Sequence, residues 1–110
     1  MSDHYYAKES LNRVSKLAEL KSNLFNLWKN FDTEVFEKGV LPVKTKELIA
    51  VGAAHITRCP YCINTHVGKA KKAGATDEEI AEAIFVGIAM SAGASVAHSC
   101  IAGESLIENK

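Results

Sequence analysis

The chain has 110 residues, a formal net charge of zero and a pI near 6.9, with 24% charged and 47% hydrophobic side chains. That length suits one small domain over residues 1–110. A domain this short leaves about a third of its unfolded surface exposed, so a second subunit would help cover apolar faces. The balanced and interspersed charge lacks the basic stripe that nucleic-acid binding requires.

The opening MSDHYYAKES has no apolar stretch of the kind a secretory signal carries, and the expected location is the cytoplasm. There is little apolar–polar alternation and no Asn-Gly or Asp-Gly turn, so no strand is expected. In ESLNRVSKLAELKSNLFNLWKNFDTEVFEKG, Leu17, Leu20, Leu24, Leu27 and Phe31 recur at three- and four-residue spacing. They form the stripe of one amphipathic helix or two, and with Trp28 they are expected in the core. Gly39 fits a helix end, and Pro42 fits the first turn of the next helix. That helix, PVKTKELIAVGAAHIT, puts Leu48, Val51 and His55 on one side with Glu47 beside them. A glutamate early in a helix is ordinarily a solvated partner of the dipole. His55 reads as a core histidine or one that braces a site.

Pro60 opens a helix through YCINTHVGKAKKAG, with lysines in its last turn and Gly74 suited to a left-handed cap. Thr76 and Glu79 have the spacing of a capping box for the next helix, whose apolar face would hold Ile80, Ile84, Ile88, Ala81 and Phe85. The pattern is expected to break near SAGAS and restart as a last helix, SVAHSCIAGESLIEN. From Ala83 to Gly103 there is no Asp, Glu, Lys or Arg, and the length approaches the ~20 residues that span a bilayer. Three serines, a histidine and glycines interrupt that stretch, and no strongly basic flank follows, so it reads as buried helix and not as a membrane span. Gly93, Ala94 and Ala97 suit either tight internal packing or a subunit interface. Cys100 reads as a small buried hydrophobe, and His98 as structural or near a site or interface. The expected architecture is all-α, a bundle of about five or six helices.

The chemistry concentrates in RCPYCINTH, residues 58–66. With Pro60 as the first helical residue, Cys59 is the N-cap and Cys62 the third residue of the first turn. Both sulfurs then lie where unpaired amides and the helix dipole favour an anion. Three-residue spacing allows them to bond to each other without unfolding the turn. His66 follows one turn above Cys62, in phase with both, as a proton acceptor directly or through a water. A reducing compartment argues against a structural disulfide and leaves catalysis or metal binding. Zinc would take Cys59, Cys62 and His66 with His55 or Glu47 as the fourth ligand, but structural zinc usually pairs two such clusters and there is no second one. Inert buried cysteines are the remaining alternative. Haem attachment needs a histidine directly after the second cysteine, where Ile63 stands.

The stretch LPVKTKELIAVGAAHITRCPYCINTHVGKAKKAGATDEEIAEAI resembles the alkylhydroperoxidase-like (AhpD-like) branch of the carboxymuconolactone decarboxylase family, from about Leu41 to His98. Glu47, Cys59, Cys62 and His66 match its pattern of a glutamate, C-x-x-C, three residues and a histidine. The resemblance implies an all-α fold and a thiol peroxidase cycle that reduces a small hydroperoxide. In that cycle Cys62 attacks the peroxide and becomes a sulfenic acid, and Cys59 donates a proton and then closes the disulfide. His66 and Glu47 draw the proton from Cys62, and a dithiol or thioredoxin-like reductant resets the pair. It also implies a homo-oligomer, commonly a trimer or hexamer. The best-characterised peroxidases carry a second histidine between the cysteines, where this chain has Tyr61, a phenol titrating near pH ~10 and no base at neutral pH. No flavin, haem, nucleotide or other cofactor is implied, since there is no glycine-rich phosphate loop. Typical decarboxylases of the wider family lack the cysteine pair.

Overall fold

The computed structural model describes residues 6–109, in which a 3-10 segment (Lys8–Arg13) precedes five α-helices and no strand is found. The helices are α1 (Val14–Leu20), α2 (Ser22–Phe36), α3 (Val43–Thr57), α4 (Pro60–Lys72) and α5 (Asp77–Glu108). The all-α expectation holds.

The leucine-rich segment forms two helices because Lys21, at φ −139° and ψ 59°, leaves helical geometry between them. Pro42 precedes α3 as its N-cap, and Lys46, one turn in, reaches back across the chain. Its ammonium donates to the carbonyls of Val35 (2.8 Å) and Glu37 (2.6 Å), which α2 leaves without helical partners at its end. Gly39 lies beyond that end, so the stop of α2 is made by Lys46 and not by a glycine cap. At the other end of α3, Arg58 takes a left-handed conformation (φ 59°), and the Cys59 N–H donates to the Ala54 carbonyl at 3.2 Å. This reversal ends α3 and delivers Cys59 as the N-cap of α4, with Pro60 in its first turn. Gly74 (φ 96°) closes α4. Thr76 and Glu79 then form the expected capping box, with bonds of 3.1 and 2.9 Å.

Helix α3 is the hub. It crosses α5 where Gly52 meets Gly87, so closely that a Cβ on Gly87 would lie 2.6 Å from the Gly52 carbonyl oxygen. Around this crossing Val51, Ala70, Ala75 and Ile80 are buried, with Leu48, Val67 and Ile84 packed on them. Lys44 ties α3 to the start of α5 through Glu79 at 3.0 Å.

Three expectations change. The break near SAGAS does not occur, and α5 runs unbroken for 32 residues. Gly93 alone weakens a helix by only about 1 kcal/mol, and its alanine neighbours favour continuation. Nor is the charge-free stretch buried within the chain. In α5 only Ile80 and Gly87 are buried, while Phe85, Ile88 and everything beyond them stay largely open, including Cys100 and His98. Gly93 has no neighbour for a Cβ to meet, so internal packing does not explain the small residues there. By length and composition α5 is also the one helix among the described residues that could cross a membrane. Finally, the leucine stripe is not core: Leu24 and Leu27 are each 62% exposed and Trp28 56%. Sequence periodicity identifies an apolar face but not its partner, and beyond its neighbour α1, α2 reaches the site through Phe36 at its C-terminal end. The radius of gyration, 18.3 Å, well exceeds the ~13 Å of a compact chain of this length.

Candidate functional site

The site forms where α2, α3 and α4 meet. As N-cap, Cys59 has extended backbone geometry (φ −99°, ψ 104°), and its Sγ accepts the Cys62 backbone N–H at 3.3 Å. The sulfur thus takes the place of the side-chain oxygen in an ordinary N-cap. Cys62 stands in the same turn, and both cysteines are half-buried and reduced.

Glu47 is 3% exposed, the one buried charged residue of the described chain. Its Oε1 lies 2.6 Å from Nδ1 of His66. Donation from Nδ1–H to the carboxylate fixes the imidazole orientation and leaves Nε2 as the ring's other polar atom. On one face of that ring Phe36 stacks at 5.0 Å and 22°. At the mouth of α4, Tyr61 meets Tyr6 edge-on at 5.9 Å.

The structure therefore brings Glu47 to His66 and Cys59 to Cys62, while among the described residues no hydrogen bond joins His66 to Cys62. His55 stands apart, its Nδ1 donating to the Val51 carbonyl at 2.7 Å. His98 makes the same kind of bond to Ala94 at 3.1 Å on the exposed part of α5. No three His, Cys, Asp or Glu side chains among the described residues converge as metal ligands do, so the four-ligand zinc arrangement is not assembled.

The two thiols are electrostatically unlike. A hydrogen bond from the Cys62 thiol holds Cys59 below the ordinary thiol value, against some desolvation, and the amides of Cys62 and Tyr61 add to it. Burial pushes Cys62 up to about 11, helped by the same hydrogen bond, by the charge on Cys59 and by Asp32. Asp32 and Phe36, both from α2, are the site residues that motif reading missed. Their only trace in the sequence is a four-residue spacing, which puts them on one helix face.

A protein-family model described as the carboxymuconolactone decarboxylase family matches residues 22–104. The chain belongs to this family. It is 54% identical over 65 residues to "Uncharacterized protein 4 in cox locus" of Paracoccus denitrificans, covering 59% of each chain. A Cupriavidus necator protein is 39% identical over 57 residues, covering 52% of this chain and 50% of that one. The chain thus spans between half and three-fifths of the curated relatives it matches. Among solved structures, a Thermotoga maritima protein, TM1620, aligns at a TM-score of 0.69 and 31% identity over 93% of both chains. The apo form of lpg0406, a carboxymuconolactone decarboxylase family protein of Legionella pneumophila, aligns at 0.71 and 30%, over 92% of this chain and 90% of that one.

Proposed function

We propose that this protein is a thiol-dependent oxidoreductase that cycles Cys59 and Cys62 between dithiol and disulfide, with hydroperoxides as oxidants. The observation that carries the reading is the shared helical turn: Cys59 accepts the Cys62 amide at 3.3 Å, so the sulfurs can bond while the turn stays intact. Peroxide attack needs Cys62 as a thiolate. His66, one turn above on α4 and held by Glu47 of α3, is the base suited to take its proton. Oxygen transfer leaves a sulfenic acid on Cys62 and releases the alcohol or water. The Cys59 thiolate then displaces hydroxide, and a dithiol donor returns two electrons. A lactone decarboxylase has no use for the cysteine pair, which disfavours that alternative.

We further propose a homo-oligomer, the trimer or hexamer that the family resemblance implies, working in the reducing cytoplasm. The exposed stripe of α1 and α2 and the bare half of α5 support the assembly. Ser91, Ser95, His98 and Ser99 along α5 fit a protein neighbour better than lipid.

The test is peroxide consumption with several dithiol donors, counting free thiols before and after. Turnover with loss of two thiols per chain supports the reading. Cys62→Ser should abolish consumption, and Cys59→Ser should leave a trappable sulfenic acid. Full activity in Cys62→Ser would remove the assignment.

A further inference from the structure

Helix α2 ends without a cap of its own. Its C-cap, Glu37, is extended (φ −73°, ψ 154°), so the left-handed turn that commonly closes a helix does not form. Lys46 of α3 makes the joint instead. Its half-buried ammonium donates to the carbonyls of Val35 and Glu37 at 2.8 and 2.6 Å, at the negative end of the α2 dipole. Those two residues flank Phe36, whose ring stacks 5.0 Å from that of His66 and within 22° of parallel. One lysine therefore fixes the backbone on both sides of the residue that covers the imidazole.

Lys46 and Glu47 are consecutive in α3 and point about 100° apart around its axis. Glu47 turns toward α4 and holds Nδ1 of His66 at 2.6 Å, while Lys46 turns toward α2. A ring bonded at one edge atom can still tilt about that bond, which displaces its other nitrogen, Nε2. The stacked Phe36 removes that freedom and keeps water from one face. We propose that Lys46 is a positioning residue for His66, acting through Phe36, so that the imidazole is aligned only while α2 is docked on α3. The proposal rests on the reading of His66 as the base for Cys62. Without the ammonium, the end of α2 loses two charge-assisted bonds, Phe36 leaves the ring part of the time, and water reaches the Glu47–His66 bond.

Exchange of the His66 Nδ1 proton with water, read by NMR on protein labelled with 15N-histidine, tests this. His66→Gln identifies the signal by its loss. Lys46→Met keeps an apolar stem and drops the charge, and Phe36→Leu drops the stack. In each, exchange should be at least about tenfold faster, since local opening sets the rate. Lys46→Arg, whose fork can serve both carbonyls, should restore slow exchange. The double variant Lys46→Met, Phe36→Leu should exchange no faster than the faster single variant, because one side chain acts through the other. In Lys46→Met, kcat for peroxide should fall about tenfold with KM unmoved, because Lys46 orders the base and does not hold substrate. The amide of Val51, fully buried in the core, reports wider unfolding and should keep its rate. A wild-type imidazole proton lost to fast exchange, additive effects of the two substitutions, or equal acceleration at Val51 overturns the role of Lys46. If the wild type consumes no peroxide but the exchange effects stand, the proposed function fails and Lys46 still positions the imidazole.

Discussion

Nδ1 of His66 lies 2.6 Å from Oε1 of Glu47, a residue nineteen positions earlier and one helix away. The pair is packed under Phe36, and Glu47 is almost sealed from solvent, so the imidazole has a single orientation held by a charge. Removing that charge while keeping the shape should lower peroxide consumption by about a hundredfold in Glu47→Gln, in the range of general-base catalysis. The check is initial rate beside the helical circular dichroism signal. An unchanged rate with an unchanged fold would separate Glu47 from the chemistry.

The thiols should titrate in opposite directions from the ordinary value. Thiolate is the reactive form, so labelling rises as pH climbs through each value. In a Cys100→Ser protein, iodoacetamide should label Cys59 first, with an inflection below that of a free thiol. Cys62 should follow only as pH approaches about 11. Peptide mass mapping across pH measures both curves, and the reverse order would contradict the electrostatics described.

Gly87→Ala tests the helix crossing. The new Cβ would meet the Gly52 carbonyl at 2.6 Å, and backbone cannot swing aside as a side chain does. Forcing α3 and α5 apart should destabilise the fold by about 1–3 kcal/mol, the usual range for overpacking, although alanine is the better helix former. Thermal unfolding should show a Tm lowered by several degrees. A raised Tm would mean that the helices slide freely.

Leu27→Glu on the α2 stripe tests assembly. The wild type should elute as a multiple of 11.9 kDa, and the charged variant as a smaller species or as aggregate, because Leu27 stands on an open apolar face. Light scattering after size exclusion reads the mass. A monomeric wild type would leave that face unexplained.

Much of the site was legible in one stretch of sequence because its determinants are local. Pro60 sets the helix start, and the spacing of Cys59, Cys62 and His66 follows from the helical repeat. Thr76 with Glu79, and Gly74, are equally local and take up their expected caps. What required the tertiary structure is everything set by contacts between helices. Only the approach of α3 to α4 converts Glu47 from a surface glutamate into the buried partner of His66. Only the approach of α2 to α4 brings Phe36 onto the ring of His66. The same limit explains the leucine stripe and the unbroken α5: periodicity reports which side of a helix is apolar, whereas the partner that covers it depends on surfaces far along the chain or on another copy.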